Sequence, residues 1–195
     1  RTDDRVAEAI DQIRRKHPQA KLKAFAGDLS TVEGVAEVDE RFQRLDILVN
    51  NLGVYAPKPF GKITDDDWRA LLETNFFSGV RLSRAFLPGM LSRNWGRIVF
   101  ISSESAVQIP VEMIHYGVTK TMQLALARGL AEMTLGTGVT VNSVLPGPTR
   151  SEGVEGFVKN MAAQQGKSTA EVEKEFFQNV RPSSLLQRFA TNEEV

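Results

Sequence analysis

Tyr116 and Lys120 lie four residues apart in HYGVTKTMQLALARGL, and Ser103 precedes the tyrosine by thirteen positions at the end of RIVFISS. On a helix, positions i and i+4 share a face, so the phenol and the ammonium project together. An unperturbed tyrosine titrates near ~10, too high for ready proton exchange at neutral pH. A neighbouring cation favours the phenolate, so the pair is expected to bring Tyr116 into the range of a general acid or base. A serine hydroxyl aimed at the same point would hold a carbonyl oxygen while hydride reaches its carbon. Tyr-x-x-x-Lys alone arises often by accident. The serine after a buried strand turns it into a site hypothesis.

These side chains need a frame, and the chain alternates helix and strand. Thr2 with Asp3 and Asp4 opens a helix whose acidic groups face the positive end of its dipole. Its apolar face is Val6, Ile10 and Ile13, and it stops before Pro18. KLKAFAG reads as a short strand. Ser30 and Glu33 read as a capping box for a helix with the stripe Val32, Val35, Phe42 and Leu45. DILVNN is a continuous apolar run, as in a strand covered on both faces. Thr64 followed by Asp65, Asp66 and Asp67 starts a long helical stretch, in which Asn75 and Gly79 mark a kink or break. RIVFISS is a second buried strand, residues 114–135 a long helix, and VTVNSVLPG a third buried strand. Strands separated by helices of this length imply right-handed parallel crossovers. The expected fold is α/β, a doubly wound parallel sheet of the Rossmann-like kind. Residues 151–181 carry two amphipathic patterns, around Val154–Met161 and Ala170–Val180, with no strand between them. They read as a lid or substrate loop inserted in a single domain spanning 1–195, a surface helical hairpin being the alternative.

Composition narrows the partners. The 195 residues suffice for one domain, and 24 basic residues balance 24 acidic ones, so nothing points to nucleic acid or an anionic membrane. Cysteine is lacking, which excludes disulfides and thiolate metal sites. His17 and His115 lack ligand spacing, so no metal is expected. A surface place suits His17, and for His115 a capping or surface place is favoured over substrate contact. With neither a run of ~18 apolar residues nor a leader pattern, the expected location is the cytoplasm.

Ligands of open parallel sheets bind beyond the carboxyl ends of the strands. Those ends here carry Asp28 and Leu29, Asn50-Asn51-Leu52-Gly53, Ser102-Ser103, and Pro146-Gly147. Each alone is an ordinary turn, but their agreement across four strands is harder to dismiss. Together with Asn75 and the Tyr116/Lys120 pair, in this order and spacing, they resemble the short-chain dehydrogenase/reductase family, and its 3-oxoacyl reductases among others. The resemblance implies a catalytic set of Asn75, Ser103, Tyr116 and Lys120. Tyr116 would be the acid/base, and Ser103 would orient the substrate oxygen. Lys120 would lower the tyrosine pKa and bind the nicotinamide ribose, and Asn75 would hold a relay water. It further implies Asn51 and Gly53 along the adenosine-ribose side, Asp28 and Leu29 near the adenine, and Thr149 beside Pro146-Gly147 at the nicotinamide carboxamide. Strand alternation puts Ser102 and Ser103 on opposite sides, and spacing selects Ser103.

Two departures stand out. Leu52 replaces a small residue, and the family's Thr-Gly-x-x-x-Gly-x-Gly turn, its first strand and helix, and its closing strand have no counterpart in the sequence. The chain therefore reads as the middle and catalytic portion of a longer enzyme. The implied activity is NAD(P)-dependent interconversion of a carbonyl and an alcohol, the alternative being a truncated or non-catalytic member used for binding or assembly. Arg1 falls where an arginine would meet a 2′-phosphate, which leans the cofactor toward NADP over NAD. The family's habit, with apolar residues on several faces of 114–135, implies a homodimer or homotetramer.

Overall fold

The computed structural model describes residues 2–195. Arg1, and with it the expected 2′-phosphate contact, lies outside the described residues.

Three parallel strands form the sheet, in the order β1 (Ile47–Asn50), β2 (Gly96–Ile101), β3 (Val139–Val144). Ile47 pairs with Arg97, and Gly96 with Val139, so the carboxyl ends of all three strands share one edge. The helices are α1 (Asp3–Lys16), α2 (Val32–Arg41), α3 (Asp65–Leu72), α4 (Ser78–Ser92), α5 (Ile114–Met133), α6 (Glu152–Gln165) and α7 (Thr169–Glu175). This is the expected parallel α/β architecture.

Helices α4 and α5 cover the sheet face that carries Leu48, Ile98, Phe100, Val139 and Val141, and α2 packs on α4. Phe100, Ile98 and Met90 are fully buried in this core, and each such side chain contributes roughly 1.5–3 kcal/mol by leaving water. Glycine is required at Gly34, where a Cβ would lie 2.0 Å from the Asp28 carbonyl oxygen. The opposite face, with Ile47, Val49 and Val144, is exposed. Burial along β1 and β3 therefore alternates, and DILVNN is not covered on both faces as the unbroken apolar run implied.

Other local expectations also change. Among the described residues KLKAFAG has no ladder partner beside it, and it runs as irregular chain. The cap of α2 is Thr31, whose hydroxyl accepts from the Gly34 N–H at 3.0 Å; Ser30 is drawn away to the Asp28 carboxylate at 2.6 Å. Helix α3 starts after Thr64 as expected, and Thr64 with Asp67 forms a capping box there. Between α3 and α4 the chain makes a π-turn, Glu73–Phe77, which is the break expected around Asn75. Helices α6 and α7, with a further π-turn at Phe176–Val180, build their own small core from Val158, Ala162, Val172, Phe177 and Phe189. Among the described residues no helix is long and apolar enough to cross a membrane.

Candidate active site

Strand β2 delivers two serines to the carboxyl edge, and they point opposite ways, as the strand pleat demands. Ser102 is buried, and its hydroxyl donates to the Lys120 main-chain oxygen at 2.9 Å, fastening β2 to α5. Ser103 turns to the open side, where it lines the same cleft as the Tyr116 phenol and its oxygen accepts from the Ser105 N–H at 3.1 Å. One turn along α5, the buried Lys120 ammonium sits 5.7 Å from the centre of the Tyr116 ring. Its partners are neutral oxygens: it donates to the Ile101 carbonyl at 2.8 Å and to Gln123 Oε1 at 3.5 Å.

The electrostatics differ from the sequence expectation. Burial holds the Tyr116 phenol above its usual 10.0, the nearby Ser103 hydroxyl pulls it back, and Tyr55 and Glu104 push it up. Lys120, turned onto Ile101 and Gln123, does not reverse this, so the tyrosine pKa is raised, not lowered. Burial instead brings Lys120 itself down from 10.5 to about 8.

Asn75 is buried in the π-turn, and its side chain clamps the segment after β1. Its Oδ1 accepts from the Val54 N–H at 2.8 Å and its Nδ2 donates to the Val54 carbonyl at 2.9 Å and to the Thr119 hydroxyl at 3.1 Å. The Asn75 main-chain oxygen accepts from Gln123 Nε2 at 2.5 Å. The link from Asn75 to Lys120 therefore runs through a side chain, Gln123, which the sequence reading missed. Its position three residues after Lys120, on the same helical face, was the available signal.

Gly53 also lies at this cluster: a Cβ built on it would be 3.4 Å from Lys120 Nζ and 3.9 Å from Asn75 Oδ1. Asn51 is exposed at the end of β1. The Pro146 carbonyl accepts from the Glu104 N–H at 3.0 Å, tying the loop after β3 to the loop after β2. Thr149 turns its hydroxyl back onto the Gly147 carbonyl at 3.0 Å. Asp28 and Leu29 are held at the start of α2. The Asp28 carboxyl lies below its usual range because Ser30 hydrogen-bonds it, and Leu29 packs against the core. His115, expected on the surface or at a cap, is instead fully buried with its ring edge-on to Trp68 at 5.9 Å.

Ser103 and Tyr116 open into a cleft of about 840 Å3. Tyr55, Met113, Phe157, Met161, Phe176 and Phe189 give it a largely apolar wall, to which α6 and α7 contribute. Four charged residues unforeseen from sequence, Glu104, Glu112, Glu175 and Arg181, line it as well. Glu104 immediately follows Ser103, whereas nothing in the sequence connects Arg181 to the site.

A family model described as short chain dehydrogenase matches residues 1–174. The uncharacterized oxidoreductase YvaG of Bacillus subtilis strain 168 is 42% identical over 195 residues, covering 100% of this chain and 74% of that relative. A second uncharacterized oxidoreductase of the same strain, YvrD, is 48% identical over 195 residues, covering 98% of this chain and 74% of that protein. Among solved structures, L-sorbose reductase from Gluconobacter frateurii, complexed with NADPH and L-sorbose, superimposes with a TM-score of 0.88 at 29% identity, over 100% of this chain and 74% of that one. The chain belongs to the short-chain dehydrogenase family of NAD(P)-dependent oxidoreductases.

Proposed function

We propose that this protein interconverts a carbonyl and an alcohol, with Tyr116 as the acid/base of the reaction. The observation that carries the reading is Ser103 and a half-buried Tyr116 lining the same apolar cleft, with Lys120 buried behind them. In the reductive direction Ser103 and Tyr116 hydrogen-bond the substrate oxygen, and Tyr116 gives its proton as that oxygen becomes an alkoxide. The raised tyrosine pKa suits a group that must enter the reaction protonated. Burial against fixed donors keeps water away from the developing charge.

The dinucleotide we propose is NADP, with NAD the alternative; the NADPH complex of the L-sorbose reductase supports this choice. The residues present fit such a group. Gly53 has no clash that demands a glycine, yet its missing Cβ leaves free the space beside Lys120. Gly53, Lys120, Asn51 and Thr149 are the residues proposed to hold the ribose and carboxamide portions, with Asp28 and Leu29 toward the adenine and Pro146-Gly147 framing the turn. When bound, the dinucleotide supplies or takes the hydride. Asn75 positions the Val54 segment and, through Gln123, the Lys120 ammonium. Helices α6 and α7 act as the substrate lid, and a homodimer or homotetramer through α4 and α5 is proposed as the assembly.

Tyr116→Phe tests the assignment, since it removes one oxygen and keeps the ring. In the protein at its natural full length, turnover of ketones with NADPH should fall by roughly 10²–10⁴, while dinucleotide affinity, followed by NADPH fluorescence, stays constant. A variant that keeps more than about a tenth of wild-type turnover rejects Tyr116 as the proton donor.

A further inference from the structure

Arg181 follows the π-turn that ends α7, far in sequence from Ser103 and Tyr116, yet its side chain is 13% exposed and lies at their cleft. Its Nε donates to Glu104 Oε1 at 3.2 Å and its Nη1 to Glu112 Oε1 at 3.1 Å. Glu104 comes directly after Ser103, and Glu112 lies in the turn that leads into the Tyr116 helix. One guanidinium therefore ties the helical segment to both loops that carry the reacting side chains. The guanidinium carbon also lies 5.7 Å from the centre of the Phe176 ring, which lines the same cleft. Ser183, two residues on, adds a hydrogen bond to Gln108 at 2.8 Å between the same two segments.

The charges around the cleft follow from this. Glu104, Glu112 and Glu175 line it as carboxylates, and Arg181 is the one cation among the described lining residues, an excess of two negative groups (3 − 1). Lys167 pairs with Glu175 at 2.6 Å from outside the lining and removes one of the two. Arg181 already serves two carboxylates, so a substrate anion entering here would meet a net negative, largely apolar wall. An uncharged apolar chain meets no such opposition.

We propose, building on the carbonyl–alcohol reading above, that the cleft selects carbonyl compounds uncharged around the reacting carbon, and that Arg181 is a positioning and specificity-determining residue that clamps the α6–α7 segment over the site instead of binding a substrate anion. The selection is by exclusion: Glu104 and Glu112 oppose a carboxylate, and the clamp keeps Phe176 against the substrate.

The test compares a medium-chain 3-oxo methyl ester with the free 3-oxo acid in the full-length protein with saturating NADPH. Wild type should favour the ester in kcat/KM by at least about tenfold. Glu104→Gln removes one opposing charge and should narrow that ratio. Arg181→Met should raise KM for the ester about tenfold or more, with a smaller change in kcat, and widen the ester preference, because two carboxylates lose their cation. Arg181→Lys should restore part of the ester KM. Two outcomes overturn the proposal: a wild-type preference for the acid that Arg181→Met abolishes, which would make Arg181 the substrate's anion site, or an Arg181→Met protein with unchanged KM and unchanged ester-to-acid ratio. If Arg181→Met does not fold, the Glu104→Gln ratio and inhibition of wild type by a matched fatty acid against its alcohol decide the same question. Tyr116→Phe, run alongside, reports on the chemistry independently: activity that survives it sinks the acid/base reading and leaves the charge selection standing on its own ratios.

Discussion

Lys120→Met should make the protein more stable while it removes activity. The folded protein lowers the Lys120 pKa from 10.5 to about 8, and burial is the cause. At about 1.4 kcal/mol for each tenfold change in proton affinity, keeping that ammonium charged at neutral pH costs roughly 3 kcal/mol of folding energy. Methionine has a similar length and carries no charge. Against the gain stands the loss of the donor to the Ile101 carbonyl, and an unsatisfied buried group costs about 1–3 kcal/mol. The net expectation is a stabilisation of about 1 kcal/mol, or ~2–4 °C in Tm for a chain of this size. The pH dependence supplies a sharper check. Because the folded pKa is depressed, the unfolded chain binds more protons between pH 8 and 10.5, so wild-type stability rises with pH through that window. The variant's advantage should therefore shrink from pH 8 toward 10.5 in paired urea denaturations. A variant clearly less stable than wild type at pH 7, with a gap that does not change up to pH 10, would show that the hydrogen bonds to Ile101 and Gln123 compensate the burial fully.

Gln123→Leu should leave the Asn75 carbonyl without its donor and Lys120 with one oxygen fewer, costing about 1–3 kcal/mol in denaturation experiments. The alkaline limb of the rate profile should also move to lower pH, since a less supported ammonium loses its proton sooner; an unmoved limb would deny Gln123 any influence on Lys120. Gly53→Ala places a methyl in ordinary contact with Lys120 Nζ, so Tm should hold while dinucleotide affinity falls about tenfold; equal affinity by calorimetry would clear Gly53 of cofactor contact. His115 is buried, and burial lowers its pKa against the opposing pull of Asp67, with Lys58 adding to the lowering. Its contribution to stability is thus present above the usual histidine range and lost as pH falls below it. His115→Phe should flatten the acid side of the stability curve between pH 7 and 5, and a curve identical to wild type would place the acid sensitivity elsewhere.

Much of the frame was legible because its signals are local. The three strands, the helix start at Thr64 and the break at Asn75 each rest on a few adjacent residues whose chemistry admits one reading. KLKAFAG failed for the complementary reason: strand propensity becomes a strand only when a neighbour offers a ladder, and among the described residues none lies beside it. Ser30 failed through competition, since its hydroxyl had two acceptable uses and the Asp28 carboxylate took it. The residues proposed to react were legible as candidates through Tyr116 and Lys120 within one helical turn together with Ser103 after a buried strand.

The environment of those residues was not legible, and it decides their chemistry. Placing a cation four residues from a phenol does not lower the phenol's pKa when burial outweighs it and the cation's hydrogen bonds go to other oxygens. Lys120 faces Ile101 and Gln123, so burial acts on each group separately, raising Tyr116 and lowering Lys120. The two proton affinities, close together in water, are thereby driven apart: the phenol lies above its usual 10.0, and the ammonium has come down from 10.5 to about 8. An ammonium that titrates near 8 can exchange its proton with solvent close to neutral pH, whereas a phenol above 10.0 stays protonated until a more basic alkoxide oxygen draws on it. The same reasoning explains why Arg181 escaped the sequence. Its partners are Glu104 and Glu112, more than sixty residues away, and only the packing of α6 and α7 against the catalytic loops brings the three together. Spacing along one helix nominates the groups proposed to react, and contacts between distant segments set the environment that fixes their charge.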